Sequence, residues 1–343
     1  MICVKMKTVK MLRVFRYMQS VTEHNLWKTE NYSGGVRMII IGEKLNGAIP
    51  SIQKAITEKD GALIRERAKL QADAGADFID VHASRNEGET EILGWMIEQV
   101  QEVTDVPVCI DSPDPKVCVE AMKYCRKEGL INSVSMEKNK TGIVFPAIAD
   151  TGWECVALLC SDKYGIPQSV DQRMEVMDEI MEEARKYGIS PDRLHIDPLV
   201  EAIATNEESF HMFSECCRRI REKYPEVHIT SGLSNISFGL PSRKTMNLAF
   251  LGMAVHAGMD SAILDPANQD MRGMIHAAQK EPADEKYQEM LLVALGEKEP
   301  DETVPYARDL AGMKYAAACL NGEDDFCLEY IDAYNEGEFG VKK

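Results

Sequence analysis

Residues 229–243 read ITSGLSNISFGLPSR, and this stretch decides the fold. It opens as a short apolar strand through Leu233, breaks at Ser234 and Asn235, and runs through Gly239 and Pro241 to Arg243. An amide is thereby presented where a strand ends, on a loop whose shape glycine and proline restrict. A parallel α/β barrel keeps its chemistry at that place, the C-terminal rim of its strands. Working outward, the pattern recurs. Short apolar segments stand at 38–41, 78–81, 106–110, 129–131, 155–159, 193–196, 227–233 and 261–264, as strands buried on both faces of a parallel sheet require. Helical periodicity fills the gaps at 60–74, 89–103, 116–126, 141–150, 172–187, 207–223 and 243–257. Alternation of this kind predicts a (β/α)8 TIM barrel over residues 38–278. An open doubly wound sheet is the alternative, and it is weakened because no G-x-G-x-x-G follows the first strand.

The flanks differ from this rhythm. Residues 1–37 form an N-terminal arm with scattered lysines and arginines, ending in the flexible NYSGG break. After Gln279 come polar KEPADEKYQ, the apolar MLLVALG and the acidic, proline-marked EKEPDETVP. Helical spacing resumes at 306–320 and 324–334, so residues 279–343 are expected to be a C-terminal helical extension.

Composition limits the function classes. The 343 residues are 45% hydrophobic, enough for one large core. The net charge is −17 and the isoelectric point is near 5.0. That balance argues against a nucleic-acid groove. No apolar run approaches the ~18 residues of a membrane span. The basic first residues lack a continuous apolar core with a small-residue cleavage site. We therefore expect a cytoplasmic protein without nucleic-acid or membrane partners. Ten cysteines occur, none in a C-x-x-C pair, and a metal site is not expected. Most should be buried, reduced thiols.

Polar residues mark every expected strand end: Glu43 with Asn46, Asp80 with His82, Asp111, Asn132 with Ser133, Ser161 with Asp162, Asp197, Asn235 and Asp265. Any one of them has an ordinary explanation, since Asp and Asn cap helices and form turns. Together they describe a site rich in carboxylates and amides and poor in lysine. Such a rim suits a neutral, nitrogen-rich heterocycle. A carboxylate accepts paired hydrogen bonds from an amino group and an adjacent ring N–H, as a 2-amino-4-oxo pterin presents, and asparagine serves the remaining edge. Lys44 and Lys163 stand just beyond strand ends and read as solvated surface lysines.

IIIGEKLNG (39–47), FIDVHAS (78–84), VCIDS (108–112), LINSVS (130–135), KYGIP (163–167), HIDPL (195–199) and GLSNISFGLPSR (232–243) stand in a familiar order and spacing. In these the chain resembles the methyltetrahydrofolate–corrinoid methyltransferase family, which is itself similar to the folate module of cobalamin-dependent methionine synthase. The resemblance implies that Asp111, Asn132 and Asp197 hold the pterin. It implies that Asn235 is the catalytic amide that approaches N5, the atom carrying the methyl group. Glu43, Asn46, Ser133 and Arg243 fall in matching motifs with less defined roles. One departure stands out: Asp80-Val81-His82 replaces the family's usual D-x-N. His82 is either a structural histidine or a group that alters how pterin or corrinoid is seated and titrates near neutrality.

The reaction so implied is an SN2 methyl transfer between the cobalt of a corrinoid (cobalamin) on a partner protein and N5 of tetrahydrofolate, giving or consuming 5-methyltetrahydrofolate. It needs no covalent enzyme intermediate, and positioning and electrostatics would carry it. His82 inclines the expectation towards transfer to folate, in the demethylation of a methylated amine such as glycine betaine. Family members are commonly homodimers. The alternatives are a dihydropteroate synthase-like pterin enzyme, a non-catalytic folate- or corrinoid-binding subunit, and a generic barrel lyase.

Overall fold

The computed structural model describes residues 37–84 and 87–340; the N-terminal arm, apart from Arg37, lies outside them. Eight parallel strands pair in chain order: β1 (Ile39–Asn46), β2 (Phe78–His82), β3 (Val108–Asp111), β4 (Leu130–Met136), β5 (Glu154–Ser161), β6 (Leu194–Asp197), β7 (His228–Ile229) and β8 (Ser261–Leu264). β8 returns to β1, with Ile39 opposite Ser261 and Gly42 opposite Leu264. Between β7 and β8, Asp260 N–H donates to Ile229 O at 3.2 Å and Ile263 N–H to Ser231 O at 3.1 Å. The sheet therefore closes on itself, and the expected TIM barrel is the observed fold.

Helices α1 (Pro50–Glu58), α2 (Gly61–Asp73), α3 (Glu89–Gln101), α4 (Pro115–Ala121), α5 (Lys140–Ile148), α6 (Val170–Lys186), α7 (Ser209–Lys223), α8 (Arg243–His256) and α9 (Gln269–Ala278) alternate with the strands. Local chemistry sets their starts. Asp60 accepts from Ala62 N–H and Leu63 N–H at the head of α2, and Ser169 accepts from Gln172 N–H at the head of α6. In α3 the buried residues Leu93, Met96, Ile97 and Val100 recur at helical spacing and form the face turned to the barrel.

Three local expectations need correction. Helices α1 and α9 were not anticipated; Pro50 at its first position preorganises α1, and Asn268 caps α9 by accepting from Asp270 N–H and Met271 N–H. Helix α4 stops at Ala121 rather than 126, and Met122–Tyr124 tightens into a 3₁₀ turn. The strand expected over 227–233 pairs as a ladder only at His228–Ile229; Gly232 adds one isolated parallel bridge to Ile263 before Leu233–Asn235 wind into a 3₁₀ turn. Serine and glycine pack little on a pleated sheet, so that segment holds its strand conformation weakly.

Alternation along the strands sorts side chains into two sets. Ile79, Val81, Ile110, Ile131, Leu194 and Ile196 face outward into the main core beneath the helices. Ile41, Phe78, Cys109, Leu130 and Val156, with Ile39, Leu158 and Ile263, pack together as a separate cluster inside the barrel. This inner plug has polar residues on both sides. Towards the strand starts lie Glu154, His195, His228, Asp260 and Ser261. Towards the strand ends lie Glu43, Asp80, His82, Asp111, Asn132, Asp197 and Thr230. Each fully buried plug side chain contributes ~1.5–3 kcal/mol by leaving water.

Beyond the barrel, α10 (Glu285–Ala294), α11 (Ala307–Leu320) and α12 (Leu328–Glu336) continue the chain. Gly312 of α11 lets that helix approach α8 closely, since a Cβ there would lie 2.9 Å from Thr245 Cγ2. Tyr330 donates its hydroxyl to Ser242 O at 3.0 Å, and Phe339 packs against Tyr330 at 4.8 Å between ring centres. These contacts fasten the extension to the loop that carries Asn235.

Candidate functional site

Strand register sets four of the expected residues in one row. Asn46 stands opposite His82, His82 opposite Asp111, and Asp111 opposite Asn132, across β1 to β4. Around the barrel, Asp197 ends β6 level with Leu158. The polar residues are thus the inward members of the strands themselves, at their C-terminal ends. The peptide between Asn132 and Ser133 is cis, and both residues are half-buried.

The first half of the rim is dominated by Asp80, His82 and Asp111, a carboxyl, an imidazole and a second carboxyl together. His82 Nδ1 lies 3.3 Å from Asp111 Oδ2 and 3.1 Å from Asp111 O. The hydrogen bond to Asp111 pushes the His82 imidazole up to about 9, against the opposing effect of burial. At neutral pH it is therefore an imidazolium. Asp80 lies behind it, 2% exposed. Burial, then the neighbouring Asp111 charge, raises the Asp80 carboxyl far above the usual range, while Cys109 and Asn132 pull it down. Its Oδ1 has no hydrogen-bond partner among the described residues. A buried unpaired oxygen costs ~1–3 kcal/mol, a cost that a ligand N–H would relieve.

On the opposite side Asp197 accepts from Leu199 N–H at 2.8 Å. Burial raises its carboxyl to about 6, against the Leu199 amide, the Arg173 charge and the Gly232 amide. Thr230, just after β7, carries a buried hydroxyl without a hydrogen-bond partner among the described residues. Carboxylates met chiefly by N–H groups can receive the paired donors of a pterin edge.

Glu43 is raised by burial first, with Lys44 lowering it and Asp265 raising it. Lys44 is not the free surface lysine expected: it lies within β1 and pairs with Asp265 at 3.1 Å. Lys163 is exposed and pairs with Glu175. Asn46 is turned to the backbone, its Oδ1 accepting from Ala48 N–H at 2.8 Å, so it shapes the loop after β1. Asp162 likewise accepts from Lys138 N–H at 2.9 Å.

Asn235 is exposed on its 3₁₀ turn. A Cβ at Gly232 would stand 3.2 Å from its Nδ2, so the glycine makes room for the amide. Arg243 braces this loop from below, donating Nη2–H to Ser234 O at 2.6 Å and Nε–H to Ser237 Oγ at 3.0 Å. It therefore holds the Asn235 loop. Beside it Phe238 is 70% exposed.

Sequence reasoning missed Thr230 and Arg173. The second had a visible signal, because Arg173 lies on the same helical stripe as Met177, Ile180 and Ala184. A charged residue on an apolar stripe asks for an explanation.

Residues 45–265 match the model of the pterin binding enzymes. The chain is 52% identical over 243 residues to the methylcorrinoid:tetrahydrofolate methyltransferase of Eubacterium limosum, covering 70% of this chain and 89% of that protein. It is 28% identical over 243 residues to methionine synthase of Mycobacterium leprae, covering 66% of this chain and 20% of that much longer protein. Among solved structures it resembles dihydropteroate synthase of Vibrio fischeri, with a TM-score of 0.55 at 21% identity over 72% of this chain and 93% of that one. The dihydropteroate synthase of Xanthomonas albilineans is similar at a TM-score of 0.54 and 22% identity, over 72% of this chain and 95% of that one. Those two likenesses concern the fold.

Proposed function

The chain belongs to the pterin binding enzymes, and we propose that within them it is a methyltransferase carrying a methyl group from a methylcorrinoid to N5 of tetrahydrofolate. The likeness to the E. limosum methyltransferase supports both the chemistry and this direction. The observation that carries the proposal is the polar rim: Asp111 and Asn132 in register on one side, Asp197 on the other, and the exposed Asn235 amide on a braced loop.

In this scheme Asp111 and Asp197 accept the N–H donors of the folate's pterin, with Asn132 and Ser133 along its edge and Asp80 behind. Asp80 and His82 set the charge balance beneath the ring. When docked, the corrinoid supplies an electrophilic methyl group and accepts the electron pair of the broken bond. N5 of the folate would attack the methyl carbon with its lone pair, and its proton would then pass to solvent. The Asn235 amide, which can donate or accept, orients N5 and follows its change in charge. Glu43 and Asn46 shape the β1 side of the rim, and Arg243 keeps the Asn235 loop in place. No residue of the chain forms a bond to the methyl group.

The corrinoid arrives on a partner protein, and the exposed Phe238 beside Asn235 offers that partner an apolar contact. A methylated amine such as glycine betaine as the ultimate methyl source belongs to this proposal and is tested on the corrinoid protein. So do a homodimeric state, a cytoplasmic location and the division into arm (1–37), barrel (38–278) and extension (279–343). Among the described residues no helix is long and apolar enough to cross a membrane.

The test uses tetrahydrofolate and free methylcobalamin, following loss of the cobalt–methyl absorbance and formation of 5-methyltetrahydrofolate. Turnover by the native protein, reduced roughly 10²–10³-fold in Asn235→Ala, is the expected result for loss of an oriented polar group. Tight folate binding without methyl transfer, even with corrinoid proteins added, would leave a binding subunit instead.

A further inference from the structure

Helix α6 begins with a cation in an unfavourable place. Arg173 lies in its first turn, where the helix dipole disfavours positive charge, and its side chain is 0% exposed. Its Nη1 donates to Pro198 O at 2.7 Å and to Leu199 O at 2.8 Å. Its Nε and Nη2 have no hydrogen-bond partner among the described residues. A guanidinium buried with such incomplete pairing contributes little to stability, and a well-packed apolar side chain of similar volume often does as well or better. Stability therefore gives no reason for arginine here.

Its neighbours give one. Pro198 and Leu199 follow directly on Asp197, and Leu199 has a φ of 69°, a left-handed conformation that a branched residue adopts at a cost of ~1 kcal/mol. In that conformation the Leu199 N–H turns back onto Asp197 Oδ1. Arg173 thus grips the two carbonyls that keep this turn folded, and its charge lies close enough to hold the Asp197 carboxyl down against burial. The other titratable groups facing the pair are the Cys216 and Cys217 thiols of α7, both raised by burial and therefore neutral. Among the described residues Arg173 is the cation whose charge acts on Asp197.

We propose that Arg173 is a positioning residue for the folate, fixing the turn after β6 through Pro198 and Leu199 and placing a cation behind the Asp197 carboxylate. The proposal rests on the folate site described above. Arg173 touches no substrate; it acts through Asp197, keeping that carboxylate ionised and aimed while the pocket is dry.

The experiment measures tetrahydrofolate binding by calorimetry between pH 5 and 8 for the native protein, Arg173→Met, Arg173→Lys, Asp197→Asn and the Arg173→Met/Asp197→Asn double variant. Arg173→Met is expected to weaken binding about tenfold at pH 7 and to move the acidic loss of affinity to higher pH. Arg173→Lys keeps the charge but not the fork, so affinity falls by a smaller factor and the pH midpoint stays. In the Asp197→Asn background Arg173→Met should bring no further loss. Native-like binding by Arg173→Met overturns the proposal, as does an equal loss in the Asp197→Asn background with an unmoved pH midpoint, the mark of mere packing. If Arg173→Met does not fold, Arg173→Lys decides: a raised KM for tetrahydrofolate with unchanged kcat supports positioning, and an unchanged KM overturns it. A native protein that binds no tetrahydrofolate removes the folate site itself, and this role with it. Native binding with indifferent Arg173 variants removes only the role of Arg173.

Discussion

The two ends of the barrel hold similar residues in opposite conditions. At the strand starts, polar groups have protein partners. His195, fully buried, sits 2.7 Å from Glu154 through Nε2 and 2.9 Å from Ser261 through Nδ1. Asp260 meets Arg221 at 2.6 Å, His228 at 3.0 Å and the Ile229 amide at 2.7 Å. Arg193 donates Nη2–H to the Ile148 and Trp153 carbonyls, both at 2.6 Å. At the strand ends, Asp80 Oδ1 and Thr230 Oγ1 are buried without a hydrogen-bond partner among the described residues, and burial pushes Asp80 and Asp197 upward. The apolar plug separates the two layers. Side-chain pairing is therefore denser at the floor than at the mouth. In such barrels the strand-start face usually serves stability and the strand-end face binding.

This contrast can be broken at its strongest point first. Asp197→Asn should lower tetrahydrofolate affinity by roughly 10²–10³-fold, because a charge-assisted paired acceptor is lost, while the urea midpoint stays or rises. Calorimetry and urea unfolding report the two halves separately, and an equal fall in both would erase the distinction. The reverse experiment is at the floor. Glu154→Ala leaves buried His195 with one partner fewer and should cost about 1–3 kcal/mol of stability, with tetrahydrofolate affinity unchanged in the same assays.

The two histidines sharpen the comparison through pH. An unfolded histidine titrates near 6.5. His82 is raised to about 9 by Asp111, so its stabilisation is complete below about 6.5 and disappears as pH rises through about 9. Burial, more than any opposing partner, lowers His195; there the unfolded chain takes up the proton first, and stability declines as pH falls below about 6.5. His82→Asn, which restores the residue usual in the resembling family, should lessen the alkaline decline, leaving the part due to buried thiols such as Cys216 and Cys217, and leave the acidic one. Urea midpoints between pH 5 and 10 give the answer, and an unchanged alkaline limb would show that His82 holds no extra proton. The smallest effect belongs to the outer rim. Phe238→Ala should alter stability by no more than about 0.5 kcal/mol and leave turnover of free methylcobalamin intact. Turnover of a protein-borne methylcorrinoid should fall, and equal rates on both donors would remove Phe238 from the docking surface.

The barrel was legible in the sequence because its information is local. A segment such as 78–81 is apolar throughout and bounded by helical spacing, and that repeats along the chain. The placement of Asp111, Asn132 and Asp197 at the rim was legible for a related reason, since each directly follows a strand-like run, while Asn235 stands two residues beyond Leu233. Asn46 and Arg243 were found as residues, but their backbone and loop contacts were not, since these depend on how the loops fold back.

What only the tertiary structure decided are relations between distant residues. The row Asn46, His82, Asp111 and Asn132 depends on strand register, which no single strand contains. The floor joins Glu154, His195, His228 and Asp260 from four consecutive strands, and Arg173 reaches from a helix to the turn after the next strand. Periodicity is a property of neighbours along the chain, so the amino-acid sequence by itself determined the strands, the helices and their alternation. Pairing, desolvation and charge depend on neighbours in space, so closure of the barrel determined which polar groups found partners within the fold.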